Sequence, residues 1–267
     1  MTNIRMFSFE QKVHETVQFL REHESPEGYF LAFSGGKDSV VIYDLAVKAG
    51  VKFDAHYNNT QIDPSELRIF IRRNYPDMDW IPPKKTMFEL IEEKRILPTG
   101  IKRFCCANLK EHSGLGRVLI TGIRGAESTR RAKRKKVERA TGKIDTTFVH
   151  PIFDWTDEEV WQYIRSNGIS YCKLYDEGWA RIGCIGCPMT SSDCAAQEFE
   201  RYPGIKKAYL RALKKGLEHK PSKYFGRDYE LMFEWWMSRL SVKEFLLRKE
   251  IEETGTFSGS MFKEVMR

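Results

Sequence analysis

No apolar run in the 267-residue chain approaches the roughly 20 residues that a helix needs to span a bilayer. The opening stretch, MTNIRMFSFEQKVHE, has no apolar core of the kind export signals carry, so a cytoplasmic protein with no membrane partner is expected. Cysteine is scarce. Six thiols without an export signal argue against a disulfide framework and for reduced sulfur with metal or redox work. Internal repeats and low-complexity linkers are absent as well. What is present is ordinary globular material, 41% hydrophobic and 30% charged, with a net charge of +7. That excess favours an anionic partner, whether nucleotide, phosphate, sulfate or nucleic acid, without choosing among them.

The hydrophobic pattern alternates between two periods. Ser8 and Gln11 form a possible capping box for a helix near 9–23. GYFLAFS (28–34) reads as a short buried strand. DSVVIYDLAVKA (38–49) is apolar nearly all round and closes on Gly50, as a crossover helix packed on a sheet would. In VKFDAHY (51–57) the residues Val51, Phe53, Ala55 and Tyr57 alternate at period two, a strand pattern, and a helix near 65–73 follows Pro64. Strands are expected at 117–124 and 146–153, and Thr156 with Glu159 opens a helix through about Ser166. Strand alternating with helix is the pattern of a doubly wound, mostly parallel α/β sheet. From about 198 the chain is helical, basic and aromatic. The expected organisation is therefore a nucleotide-binding α/β domain over 1–197 and a C-terminal helical extension over 198–267.

Between the first strand and its helix lies AFSGGKDSVV (32–41). Ligands of open α/β sheets bind at the carboxyl ends of strands, and a helix N-terminus offers unpaired N–H groups and a positive dipole end. Gly35 and Gly36 remove the Cβ atoms that would keep a phosphate away, Ser34 and Ser39 add hydroxyl donors, and Lys37 adds a charge. It is not a Walker loop, because Leu31 stands where the first glycine is needed and Asp38 where Ser or Thr should follow the lysine.

The string SGGKDS instead resembles the pyrophosphate loop of the ATP-pyrophosphatase superfamily. The resemblance extends to adenylyl-sulfate and phosphoadenylyl-sulfate reductases through NNTQIDPSEL (58–67), TGIRGAESTRRA (121–132) and PIFDWTDEEVWQYIRSNGISYCKLYDEGWARIGCIGC (151–187). It covers roughly residues 28–190 in order. It implies a fold of the adenine nucleotide alpha-hydrolase type with an adenine nucleotide bound by Ser34, Gly35, Gly36, Lys37, Asp38 and Ser39. Lys37 and Asp38 are the expected catalytic pair, with Mg2+ as counter-ion, and Arg124, Glu127, Ser128 and Arg131 are expected near the phosphate or sulfate.

Cys105 and Cys106 are adjacent, and Cys184 and Cys187 form GCIGC. Four thiolates suit tetrahedral zinc or an iron–sulfur cluster. Neighbouring cysteines diverge and are awkward around one small ion, which favours the larger centre, with free thiols or a redox disulfide as further readings. The CC…CxxC arrangement also resembles that of adenylyl-sulfate reductases, which implies a 4Fe–4S cluster. Arg103, Lys110 and Arg181 flank these cysteines. Cys172 and Cys194 are expected to be buried spectators, and His150 a satisfied structural residue.

RGAESTRRAKRKKVER (124–139) crowds cations after a strand. Lys133, Arg134, Lys135 and Lys136 exceed what one small anion needs, so the run reads either as a mobile solvated loop or as a track for a nucleic-acid backbone. In the tail, Phe233, Trp235 and Trp236 read as core.

Three functions are consistent with these features. The first is an ATP-dependent sulfur-transfer enzyme that adenylylates an acceptor in nucleic acid, DNA or tRNA, for thiolation or phosphorothioation. Its sulfur would come from a cysteine desulfurase or another donor. The second is an adenylyl-sulfate or phosphoadenylyl-sulfate reductase making sulfite. Those reductases carry their nucleophile in a C-terminal ECG.H segment, whereas no cysteine here follows Cys194, which favours the first reading. The third is a noncatalytic nucleotide- or nucleic-acid-binding subunit.

Overall fold

The computed structural model describes residues 2–140 and 145–254. In chain order the elements are α1 Thr2–Glu22, β1 Tyr29–Phe33, α2 Lys37–Ala49, β2 Phe53–Asn58, α3 Ser65–Asn74, β3 Asp79–Ile81, α4 Met87–Lys94, α5 Phe104–Leu109, β4 Val118–Ile120, β5 Val137–Arg139, β6 Thr147–Val149, α6 Asp157–Ser166, α7 Ser192–Arg201, α8 Pro203–His219, α9 Tyr229–Ser238 and α10 Val242–Thr254. Single 3-10 turns lie at Gly125–Glu127 and Lys173–Tyr175. No helix among the described residues is long and apolar enough to cross a membrane.

The chain forms two compact units, and their segments alternate along the sequence. The first holds residues 1–59, 63–82 and 112–183, and the second 60–62, 83–111 and 184–267. Segments 83–111 and 184–197, which lie before the sequence boundary at 198, thus belong with the C-terminal helices. Residues 255–267 of the expected extension lie outside the described residues.

The first unit carries a six-stranded sheet in the order β3-β2-β1-β4-β6-β5, parallel throughout except that β5 runs antiparallel to β6 at the edge. This is the expected doubly wound α/β architecture. The order reverses direction between β1 and β4, so the chains leaving those two strands diverge and open a crevice at their carboxyl ends. Tyr29, Leu31 and Phe33 of β1 are buried, and α2 sinks Val40, Val41, Ile42, Leu45, Ala46 and Ala49 against them. α2 ends on Gly50, whose φ of 67° supplies the left-handed cap. Thr156 and Glu159 make the expected capping box at the start of α6.

Three expectations change. α1 starts at Thr2, so Ser8 lies inside it; no Gly or Pro interrupts 2–22 to end the helix earlier. The strand expected over 117–124 stops at Ile120, where the backbone turns toward the loop after β1: a Cβ on Gly122 would lie 3.0 Å from Asp38 Cβ. The basic run is not a solvated loop over its whole length. Its end is β5, hydrogen-bonded to β6, and its cations pair: Arg134 with Glu138 at 2.9 Å, Lys136 with Asp154 at 2.8 Å, and Arg131 with Glu127.

The second unit is helical, with its own core of Met87, Leu90 and Ile91 from α4, Tyr209, Leu213 and Leu217 from α8, and Phe233, Trp235 and Trp236 from α9. α4 and α8 approach closely because residue 216 is glycine: a Cβ there would lie 2.8 Å from the carbonyl oxygen of Glu92. The aromatic triplet of the tail is core, as its spacing suggested.

Candidate functional site

The loop after β1 is tied internally before any ligand is considered. Ser39 Oγ donates to the Gly36 carbonyl at 2.8 Å, Ser34 Oγ lies 3.3 Å from Ser39 Oγ, and the Gly36 N–H points to Ser34 Oγ at 3.4 Å. Gly35 takes φ +74°, and a Cβ on it would lie 2.7 Å from Leu67 Cδ1 and 2.8 Å from Ile71 Cδ1. Glycine is therefore required twice over at this position, by conformation and by space. Gly36 is the N-cap of α2 without any side-chain cap of its own; the Ser39 N–H turns back to the Gly36 carbonyl at 2.9 Å, while those of Lys37 and Asp38 find no acceptor within the helix.

One of those donors is occupied. The Lys37 N–H donates to the Tyr175 hydroxyl at 2.9 Å, and the Lys37 ammonium lies 5.9 Å from the centre of the same ring. Burial keeps the Tyr175 phenol above its ordinary pKa, so it is neutral and retains a proton to donate.

The charges form a compact cluster. Arg124 is 3% exposed and spans two carboxylates: its Nε donates to Asp38 Oδ1 at 2.6 Å and its Nη2 to Asp157 Oδ1 at 2.7 Å. Lys37 Nζ shares that Asp157 oxygen at 3.1 Å and lies 3.8 Å from Asp38 Oδ2. Burial opposes the charge on Arg124, but Asp38, then Asp157 and Glu127, hold its pKa above the usual value. Asp157 stands in the first turn of α6, where the helix dipole favours an anion. Its carboxylate is about half exposed, unlike Lys37 and Arg124. The two carboxylates are hard oxygen donors of the kind Mg2+ takes, though both are already held by cations. Glu127 accepts from the Arg124 N–H at 2.9 Å and pairs with Arg131, and Ser128 Oγ accepts from the Arg131 N–H at 3.2 Å. These three residues join the loop through Arg124. Asp157 and Tyr175 were missed from sequence, although Asp157 directly follows the capping Thr156 and Tyr175 lies within the quoted LYDEG block.

The second cluster lies in the helical unit. Cys105 and Cys106 sit on α5, while Cys184 and Cys187 bracket a turn closed by the Cys187 N–H on the Cys184 carbonyl at 3.2 Å. The neighbouring Cys105 thiol, with Arg103 beside it, holds the Cys106 pKa below the ordinary thiol value, and Cys105 is raised in turn. Arg103 Nη2 lies 3.3 Å from Cys106 Sγ, and Lys110 also lowers the Cys106 pKa. Burial first, then the charges of Cys184, Cys105 and Cys187, raises the Tyr209 phenol above its ordinary pKa. Among the described residues, no three His, Cys, Asp or Glu side chains converge closely enough to hold a single ion. The donor set is all sulfur, the chemistry that both zinc and iron–sulfur centres take.

The backbone of that turn is fixed from all sides. Ile185 N–H donates to the Ile62 carbonyl at 2.9 Å and its carbonyl accepts from Tyr209 Oη at 3.1 Å. Gly186 N–H donates to buried Glu198 Oε2 at 2.6 Å, and Arg239 Nη2 donates to the Cys187 carbonyl at 3.1 Å. Glu198, Tyr209 and Arg239 were not foreseen. Arg181 is exposed in the sheet unit. Cys172 is fully buried, as expected, but Cys194 is exposed, because it lies in the first turn of α7 on the face opposite Ala195 and Phe199.

The phosphoadenosine phosphosulfate reductase domain model matches residues 28–190. The uncharacterized protein MJ0973 of Methanocaldococcus jannaschii is 30% identical over 233 residues, covering 83% of this chain and 54% of that protein. An adenosine 5'-phosphosulfate reductase of Staphylococcus epidermidis is 38% identical over 170 residues, 58% of this chain and 68% of the relative. A probable FAD synthase of Schizosaccharomyces pombe is 28% identical over 175 residues, 63% of each. This chain thus spans about half the length of the Methanocaldococcus protein. With the reductase domain matched across most of the chain, and the glycine loop of β1 lying inside that match, the protein belongs to the phosphoadenosine phosphosulfate reductase family.

Proposed function

We propose that the 34–39 loop binds the phosphates of ATP and supports adenylyl transfer to an acceptor that is then sulfurated. An acceptor oxygen attacks the α-phosphorus, the bond to pyrophosphate breaks, and a sulfur nucleophile from a donor such as a cysteine desulfurase later takes the activated position. AMP leaves with the acceptor oxygen. The observation that carries this reading is the cluster at the start of α2: a glycine turn that leads into the helix N-terminus beside Lys37, a buried ammonium held between the carboxylates of Asp38 and Asp157. Phosphate oxygens can replace Asp157 on Lys37, and charge developing on the leaving pyrophosphate meets that cation and the helix dipole. Arg124, with its donors on Asp38 and Asp157, positions the two carboxylates, which would supply the oxygen ligands for Mg2+. The likeness to a probable FAD synthase supports a nucleotide-handling role of this loop beyond phosphosulfate reduction.

Cys105, Cys106, Cys184 and Cys187 would hold a 4Fe–4S cluster, which would supply electron or sulfur chemistry or brace the helical unit. The acceptor is read as nucleic acid, DNA or tRNA. A second reading, reduction of adenylyl sulfate to sulfite, is favoured by the 38% identity to the Staphylococcus reductase.

The two readings separate in one assay. Anaerobically purified protein given a nucleic-acid acceptor should release pyrophosphate from ATP, and Lys37→Ala should lower that rate at least a hundredfold. Sulfite from adenylyl sulfate and a thiol reductant, with no pyrophosphate from ATP, would establish the second reading. Pyrophosphate release by Lys37→Ala at the wild-type rate would remove the loop from the mechanism.

A further inference from the structure

α8 has two unlike faces. Tyr209, Ala212, Leu213, Gly216 and Leu217 are buried, and Tyr209 reaches the Cys184–Cys187 turn. The opposite face exposes Lys207, Arg211, Lys214 and Lys215. Steps of four residues, about 6 Å along the axis, separate Lys207 from Arg211 and Arg211 from Lys215. Like charges at that spacing repel and weaken the helix. Among the described residues Lys207 and Arg211 have no carboxylate partner, and only Lys215 meets one, Glu92 at 3.7 Å, with Glu218 closing the stripe. The contrast with 124–139 is direct, since there Arg131, Arg134 and Lys136 are neutralised within the fold. Past the helix, exposed Lys223 lies 5.6 Å from the ring centre of Tyr224, itself 37% exposed.

We infer that this face of α8, continued by Lys223 and Tyr224, binds the phosphate backbone of a nucleic acid, with Tyr224 offering a ring to an unpaired base. A row of cations of which only Lys215 meets a carboxylate is what a polyanion with regularly spaced charges complements, by releasing its counterions. An aromatic ring beside the row adds stacking, which every base can accept. A lipid surface fits poorly, because an interfacial helix needs exposed apolar residues next to its cations, and the apolar residues of α8 are buried. The binding stands by itself; that the bound nucleic acid is the sulfur acceptor rests on the reading given under Proposed function.

The test is fluorescence anisotropy with the full-length protein and a labelled single-stranded oligonucleotide, repeated over a range of salt. The variant Lys207→Gln/Arg211→Gln/Lys214→Gln/Lys215→Gln keeps helix-forming side chains, and a thermal melt checks its fold. If it unfolds, Lys207→Gln/Arg211→Gln replaces it. The expected result is a loss of affinity of at least tenfold and a log–log salt slope shallower by about 3, for four phosphates at roughly 0.7 each on a single strand. Tyr224→Ala should weaken the single strand about threefold or more and leave a duplex unaffected. Wild-type affinity and slope in the folded variant would overturn the inference, as would a loss caused instead by Arg130→Gln/Lys133→Gln/Lys135→Gln. Equal affinity for inorganic polyphosphate of matched length would overturn it too. ATP binding without nucleic acid should match wild type in the α8 variant. Failure of wild type to release pyrophosphate from ATP in the presence of the bound oligonucleotide would sink the catalytic reading and leave the surface standing.

Discussion

His150 is wholly buried at the end of β6, with Nδ1 2.7 Å from Thr121 Oγ1 and Nε2 3.7 Å from Glu138. Burial presses its pKa down to about 4, against 6.5 in an open chain. Between those values the unfolded chain takes up a proton that the native protein refuses. Stability is therefore complete above about pH 6.5 and declines as pH falls toward 4, by roughly 3 kcal/mol for a displacement of this size. Urea unfolding at pH 7.5 and pH 5.0 should show the loss, and His150→Asn should flatten it; an equal loss in the variant would assign it elsewhere. At this scale the sequence was half legible. Ser34 to Ser39 announce themselves, because a phosphate loop needs small and donor residues in succession. Tyr175 and Asp157 are recruited from more than a hundred residues away, and no local pattern marks a tyrosine as the partner of the Lys37 amide.

The Cys184–Cys187 turn shows what an element adds to its residues. A Cβ on Gly186, at φ +70°, would lie 2.5 Å from Phe199 Cζ. Gly186→Ala should distort the turn at a cost of about 1–3 kcal/mol and lower the iron and sulfide content of anaerobically purified protein well below that of wild type. Full occupancy in the variant would mean that the turn does not present the two thiols. The CxxC spacing was visible in the sequence, but the residues that hold its backbone lie on α7, α8 and α9. Short strands were the least legible elements: β3 and β5 have three residues each, too few for alternation to register. α4 was overlooked despite the capping box of Thr86 and Glu89 and the apolar Met87, Leu90 and Ile91, because its eight residues make little more than two turns.

The molecule as a whole is more interleaved than its sequence suggests. A charge and aromaticity change near 198 looks like a domain boundary, yet Met87, Leu90 and Ile91 of α4 are buried with Tyr209, Leu213 and Leu217 of α8. A chain ended after Gln197 would strand that apolar face of α4 in water and should collect in the insoluble fraction. Soluble, cooperatively melting 1–197 would contradict this account of the core. The alternation of periods gave the sheet correctly because each crossover is local. It was silent on which helices share a core, since that is decided by burial among distant segments.

The phenol seated on the Lys37 amide makes ligand entry a replacement reaction. On the reading proposed above, a lone inorganic phosphate would gain one amide and dislodge one oxygen, leaving little free energy between the empty and filled seats. A triphosphate would reach past this seat and displace Asp157 from Lys37 as well. Such a seat would favour long anions over short ones before any contact with the base or the sugar is made.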